Sequence, residues 1–499
     1  MTATTDPTTS PERSAAPARV LGLCCGATFI AFLDLSVVNI AFPAILDDFP
    51  GTAIDTLTWI VSGYTVLFAA LLTPAGRIAD VLGRREAFLV SLVGFTVASL
   101  GCGAAPSVGW LIAARLVQGA MAAGMIPAAL GLILATTPRE RIPRAVAAWS
   151  AAAGFSAVIG PAVGGALLEV FGWRAVFFVN GPFGVLLFVA GIATLPARTG
   201  RGTRRLPDPL GTVALAVGVA ALVTGLTEGD RWGWGDPRTV GLLVLGVVLV
   251  VATWFRSRGH AAPAVDVTVW RDRRYPFANA GLGVLSVAMF AWMLGGPLFT
   301  TSIWGWSTMQ TAGALSIGAV ASMIASLLAG RIAAPRSQVA VAVLGCLGFA
   351  GSNAIWASSL FGPDSDFWGG WVPAALLGGG GLGLALTCLS AVAAATVPPQ
   401  KFAVGIGMTL TTRQLGGAIG AAGLAAIISS SAVPGSVASF HRVYASAAIV
   451  SVVAAAVVVG LALAVRRTAA AATPAAGSPS PAPSPAVSPA AGRSVGVSE

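Results

Sequence analysis

From Val20 to Gly76 no basic residue interrupts the chain, and apolar runs of similar character return until about residue 465. A helix needs roughly 20 apolar residues to cross the hydrocarbon core of a bilayer. Inside that core every backbone N–H and C=O must find a partner within the protein, so only helices and closed barrels can span it. The runs lack the strict in-out alternation of barrel strands, which leaves helices. Composition agrees: 56% of the residues are hydrophobic and 10% charged, against about 25% charged in a soluble domain. The sequence reads as an all-α polytopic membrane protein.

Fourteen apolar segments can be marked, at roughly 20–45, 56–75, 86–105, 109–136, 144–168, 175–196, 209–228, 239–256, 276–300, 309–330, 338–358, 370–396, 403–430 and 441–465. The first carries Asp34 in its middle and no convincing cleavage site, so a retained helix is expected and not a removable signal. If it starts inside the cell, 23 of the 29 Lys and Arg fall on inward ends and loops. Only Arg174, Arg231, Arg238 and Arg442 fall on outward ones. This positive-inside bias sets the orientation. A missed helix would scramble the alternation after it, so the bias supports the count as well. The expected location is the inner (plasma) membrane, with both termini cytoplasmic. The use of 28 arginines and one lysine (Lys401) suggests a GC-rich bacterial genome.

The same dispersal of arginine over short loops excludes a nucleic-acid partner, which needs a clustered basic surface. No Walker A phrase occurs. The five cysteines (Cys24, Cys25, Cys102, Cys346, Cys388) lie inside apolar runs with no metal-ligand spacing, as small buried hydrophobes do. The sequence calls for no metal, no cofactor, no enzymatic chemistry and no obligate protein partner. Residues 1–18 and the Ala/Pro/Ser-rich 468–499 cannot bury a core and are expected to be disordered tails.

Residues 75–85 read AGRIADVLGRR, and 329–336 read AGRIAAPR. The phrase follows the second segment and again the tenth. Segments nine to fourteen therefore repeat one to six, with seven and eight inserted, a duplication common among secondary transporters. The expected divisions are 19–197, an inserted helix pair over 198–274, and 275–467. In the first copy Gly76 and Gly83 permit a tight turn and close backbone approach. Asp80 can pair with Arg84 or cap a neighbouring helix. Together with Arg77 and Arg85 these residues are expected to form a cytoplasmic latch. The second copy has Pro335 and no acid, so the working latch is expected on the first half only.

Taken with four further phrases, AGRIADVLGRR resembles the loop between helices two and three of the major facilitator superfamily. FLDLSVVNIAFPAI (32–45), RLVQGAMAAG (115–124), GFSAVIGPAVGGAL (154–167) and TRQLGGAIGAAG (412–423) are similar to motifs of its fourteen-helix drug:proton antiporter family. The resemblance covers everything but the two tails. It implies 14 transmembrane helices, as two six-helix pseudo-repeats plus an inserted helix pair. The 154–167 phrase is associated with exporters over importers. Its Gly154, Gly160, Pro161, Gly164 and Gly165 lie near one helical stripe, where small residues let helices pack closely and proline adds a kink.

Chemistry points to Asp34. A carboxylate in the middle of a membrane helix costs several kcal/mol if charged and unpaired, so it should face a cavity. Such a group can take up and release a proton. Arg115 is its natural partner, and Gln118 and Gly119 lie one turn on along the same face. Arg115 is expected either to set when Asp34 gives up its proton or to hold it in a static ion pair. Asn39, Gln118, Met289, Trp292, Arg413 and Gln414 are expected to line a substrate cavity, Met289 and Trp292 with the neighbouring Phe290 and Met293 giving adaptable apolar contacts. No acid lies inside a segment over 276–465, which disfavours dicationic substrates against neutral or singly charged apolar ones.

The expected function is proton-driven export of an apolar drug or antibiotic by alternating access, with self-resistance as a plausible role. Protons, a small-molecule substrate and the lipid bilayer are its partners. Export of an endogenous lipid, siderophore or other metabolite keeps the fold and changes the cargo. A nutrient symporter is opposed by the phrase at 154–167, and a non-transporting scaffold by the expense of Asp34 and Arg115.

Overall fold

The structure is a computed structural model and describes residues 12–195, 207–332, 334–431, 433 and 435–472. The described residues form fifteen α-helices and no strand. These are α1 (Glu12–Asp48), α2 (Ile54–Leu82), α3 (Arg84–Gly103), α4 (Val108–Thr136), α5 (Ile142–Phe171), α6 (Trp173–Phe178), α7 (Asn180–Thr194), α8 (Pro209–Trp232) and α9 (Pro237–Gly259). They continue with α10 (Arg274–Ser302), α11 (Thr308–Ala329), α12 (Pro335–Trp356), α13 (Val372–Thr396), α14 (Phe402–Ser429) and α15 (Val437–Ala472). Twelve stretches are long and apolar enough to cross a membrane, α6 and α7 counting as one. Neither α5 (30 residues) nor α14 (28 residues) is among them. In α14, Arg413, Gln414 and the glycines dilute the apolar character. The first helix begins at Glu12, within the stretch expected to be a disordered tail, where Ala-rich sequence favours helix. The last runs to Ala472, past the expected boundary at 467. The rest of both tails, and the 196–206 stretch with its arginines, lie outside the described residues.

Local chemistry explains where the helices break. Gly83 separates α2 from α3 at φ +119°, a conformation that residues with a Cβ rarely adopt. The sixth expected segment is divided at Val179. Pro182 has no N–H to offer the Phe178 carbonyl, so the helical ladder is interrupted there. The Ser107 hydroxyl caps α4 by accepting from the Trp110 N–H, and Ser307 with Gln310 forms a capping box on α11. Short 3₁₀ turns, Arg139–Arg141 and Pro399–Lys401, lead into α5 and α14 respectively.

The packing repeats itself. In the first part α1 lies against α5, α2 against α4, and α3 against α4 and α7. In the second, α10 lies against α14, α11 against α13, and α12 against α13 and α15. The two parts meet through matching pairs, α2 with α14 and α5 with α11. α8 and α9 pack on each other, and α8 rests against both α2 and α14.

Candidate functional site

At the end of the bundle that carries Arg77, Arg84 and Lys401, one carboxylate joins the two parts. Asp80, on the last turn of α2, accepts hydrogen bonds from the Val404 and Ala403 N–H groups at 2.8 and 3.2 Å. These are first-turn amides of α14, which have no partner within their own helix. An anion placed there also meets the positive end of the helix dipole. Arg84 completes the arrangement: its Nη2 lies 2.7 Å from Asp80 Oδ1, and it also donates to the Pro399 carbonyl. Gly76, one turn before Asp80, lies so close to α14 that a Cβ there would collide with the Ala403 carbonyl oxygen. Arg77 reaches 3.8 Å from Asp266, in the loop between α9 and α10, and Lys401 lies 2.7 Å from the same carboxylate. Burial pushes the Asp266 carboxyl up, but hydrogen bonds from Lys401 and Thr268 outweigh it and hold the group below the usual carboxylate range. Arg85 Nε is buried with no hydrogen-bond partner among the described residues.

The second AGRI phrase joins the parts as well, through packing alone. Gly330 sits against Ala147, Pro143 and Arg144 of α5, where a Cβ would find no room. The two copies therefore differ in their charged contacts and share the close packing. The leads into the two partner helices, TPRERIPRAV (137–146) and VPPQKFAVGI (397–406), place Pro143 where the other has Ala403. Proline has no N–H for a carboxylate to cap.

Asp34 is enclosed among side chains of the described residues. It is 2% exposed, inside the first part, and its charge is met on all sides. Arg115 Nη1 lies 2.6 Å from Oδ2, while Gln118 Nε2 and Asn180 Nδ2 donate to Oδ1 at 2.8 and 3.0 Å. Arg115 is 1% exposed and also donates from Nε to the Ile60 carbonyl and from Nη1 to Gln118 Oε1. Its guanidinium stands 4.4 Å from the Tyr64 ring centroid, within range of a cation–π contact. Gln118, expected to face substrate, is instead turned into this cluster because it shares a helical face with Arg115. Asn180 was not anticipated. The asparagine-proline pattern NGP at the start of α7 was its only signal.

A cavity of about 20 Å³ lies between the two parts. Leu130 and Leu134 of α4 and Trp149 of α5 wall one side; Tyr275 of α10, α13 residues and Phe402 to Arg413 of α14 wall the other. Of the residues expected to line a substrate cavity, Arg413 lines this one. Gln118, Met289, Trp292 and Gln414 do not. Trp292 is held in an aromatic cluster, with ring centroids 5.8 Å from Phe349 and 5.7 Å from Trp356, and Met289 packs on the core. Aromatic stacking offered that tryptophan more buried area than a central space this small. The side chain of Asn39 lies outside the described residues.

The glycine stripe of α5 is shorter than expected. A Cβ on Gly164 would press on Val37, and one on Gly160 would meet Ser36, so these two let α5 approach α1. Gly154 and Gly165 face nothing within 4 Å; Gly165 is turned about 100° from its neighbour Gly164. Pro161's side chain lies outside the described residues. On the α8–α9 pair, Arg256 binds Asp208 and holds its carboxyl down to about 2. All five cysteines are free, and no group of metal-ligating side chains occurs among the described residues.

Two helical parts with matching internal packing, closed on each other at one end by a helix-capping carboxylate, define a polytopic membrane protein of transporter architecture. The chain belongs to the Major Facilitator Superfamily, whose model matches residues 24–421. It is 35% identical over 403 residues to the puromycin resistance protein pur8 of Streptomyces alboniger, covering 79% of this chain and 78% of that one. It is 32% identical over 418 residues to the tetracenomycin C resistance and export protein of Streptomyces glaucescens, covering 82% and 76%. The solved human organic anion transporter MFSD10 (TETRAN) superposes with a TM-score of 0.64 at 15% identity, over 89% of this chain and 99% of that one. That likeness speaks for the fold.

Proposed function

We propose that this chain is a proton-coupled exporter of apolar drugs or antibiotics in a bacterial plasma membrane, working by alternating access and conferring resistance. The relatives named for puromycin and tetracenomycin C support the cargo class. We read six-helix halves at 19–197 and 275–467 with an inserted pair over 198–274. Adding α5 and α14 to the twelve apolar stretches gives fourteen spans, with the Arg77, Arg84 and Lys401 end cytoplasmic.

The observation that carries the coupling is the fully enclosed Asp34. Protonation would remove the anion that Arg115, Gln118 and Asn180 surround and leave Arg115 without its counter-ion, a change worth several kcal/mol in a dry interior. Ser36 and Val37, two and three residues along α1, are the groups seated in Gly160 and Gly164 of α5. α5 in turn meets α11 in the other half. A proton at Asp34 thus acts on α1, then α5, then the interface that must open. Asp80 and α14 join the two halves at the end we read as cytoplasmic, which supports closure of that end in this conformation.

The test uses everted vesicles. A transported drug should dissipate part of an imposed pH gradient, and Asp34→Asn should abolish both this response and accumulation of the drug. An Asp34→Asn protein that inserts normally and still concentrates drug would refute the coupling role. Failure of every apolar drug, with export of an endogenous metabolite instead, would refute the cargo.

A further inference from the structure

Arg413 is a cation without an anion. It lies eleven residues into α14, about 16 Å from the start of that helix and close to mid-membrane. Its Nε is buried and has no hydrogen-bond partner, and the side chain forms no ion pair among the described residues. Its own half has no acid to offer at that depth: between 276 and 465 the only acids are Asp364 and Asp366, exposed and next to the π-helical turn Phe367–Trp371, while Asp34 of the other half is already paired with Arg115. Arg115, the other intramembrane arginine, shows what compensation looks like here, with a carboxylate at 2.6 Å and two further acceptors. An arginine half-buried between helices and left unpaired is costly. The guanidinium edge presents parallel donors in a fixed plane that fits carboxylate, sulfonate or phosphate oxygens.

Arg413 also lines a cavity shared by both halves. Most of the remaining lining is apolar or aromatic, with Leu130, Leu134, Trp149, Ile406 and Leu410 beside the hydroxyls of Ser390 and Thr409. The Tyr275 hydroxyl donates to the Gly405 carbonyl at 2.6 Å, so it is already engaged.

We infer that the cargo is an amphiphilic anion, whose charged group pairs with Arg413 while its apolar body rests on the wall from α4 and α5. This rests on the exporter reading and narrows it. An incoming anion supplies the counter-charge that the protein withholds, and its departure restores the unpaired state. Cations gain nothing at this position and are repelled by it.

The test is a resistance and binding panel with the full chain in a pump-deleted host. Fusidate, novobiocin and cholate are the anions, ethidium and tetraphenylphosphonium the cations, and chloramphenicol the neutral probe. Resistance to at least one anion is expected and none to the cations. Arg413→Gln should lower resistance and fusidate affinity by roughly tenfold to a hundredfold, the worth of one charged hydrogen-bonded contact. Arg413→Lys should recover part of it. Equal membrane levels and unchanged melting temperature of the purified variants separate this from misfolding. Resistance confined to cations or chloramphenicol, or anion resistance untouched by Arg413→Gln, overturns the inference and leaves the exporter reading standing. A chain that exports none of the probes or any other drug overturns both.

Discussion

Asp80→Asn tests the join between the halves at its narrowest point. In the structure the Asp80 carboxylate accepts two amides of α14, at 2.8 and 3.2 Å, and the Arg84 guanidinium. Asparagine keeps one acceptor oxygen and turns an NH₂ toward groups that are themselves donors. One amide bond survives as a neutral one, the other is lost, and Arg84 keeps only the Pro399 carbonyl. A charge-assisted hydrogen bond is worth about 1.5–3 kcal/mol and a neutral one about 1. The closed join should therefore weaken by roughly 2–4 kcal/mol, or about thirtyfold to a thousandfold in the ratio of closed to open forms. Hydrogen exchange read by mass spectrometry on the peptide containing Ala403 and Val404 reports this directly. Exchange at the start of α14 should accelerate by that factor, while peptides from the Asp34 region of α1 keep their rates. Uniform acceleration across all helices would signal general destabilisation, and wild-type exchange at α14 would refute the capping role.

Other perturbations probe other contacts. Gly164→Leu forces a side chain into Val37 and should destabilise the α1–α5 pair by about 1–3 kcal/mol, as overpacking does, read as a lower melting temperature; Gly165→Leu, which faces open space, should leave it within error. Asn180→Leu removes one donor to Asp34 and should shift the pH dependence of drug-driven proton movement without abolishing insertion; an unchanged profile would assign Asn180 a packing role only. Asp266 is held below its ordinary value, so its ties to Arg77 and Lys401 are intact above about pH 4 and fail as pH falls through the lowered value. Asp266→Asn should accordingly remove an acid-dependent loss of rigidity in the α9–α10 loop, seen as loop protection factors, the intrinsic exchange rate at each pH divided by the observed one, that no longer change between about pH 5 and 3.

How much of this was legible in the sequence depends on which signal carried it. Apolar length and arginine placement fix spans well because hydrocarbon punishes every exception. The pairing of Asp34 with Arg115 was legible for the same reason: two opposite charges at similar depth have little else to do. What surrounds the pair was not. Whether Gln118 faces substrate or Asp34 is decided by a rotation of α4 set by packing against α2 through Gly119, whose lack of a side chain lets the Tyr64 backbone approach. Nothing in the local periodicity states that rotation. Asn180 joined the cluster through a helix break at Val179, and breaks at an asparagine-glycine-proline run have several outcomes. Trp292 shows the opposite failure. Its residue type suits a ligand wall and an aromatic core equally, and the rings of Phe349 and Trp356 decided for the core.

The two AGRI phrases show why a duplicated fold need not stay symmetric. Gly76 and Gly330 do the same steric work, each admitting a partner helix of the other half at backbone distance. At that distance the first amides of the partner helix are exposed to whatever the glycine-bearing helix places one turn on. Facing α14 those amides exist, and Asp80 satisfies two of them. Facing α5 the matching position is Pro143, which has no N–H, and the turn after Gly330 carries no acid. Residue choice on the two sides is therefore coupled: an aspartate after Gly330 would find one amide donor fewer and no arginine placed as Arg84 is, and would be a poorly compensated charge. The coupling makes a reciprocal prediction. Introducing Ala403→Pro should cancel most of the effect of Asp80→Asn, because the lost acceptor then has one fewer donor to serve. Full additivity of the two changes in α14 exchange or melting temperature would show that Asp80 acts through Arg84 and not through the helix it caps.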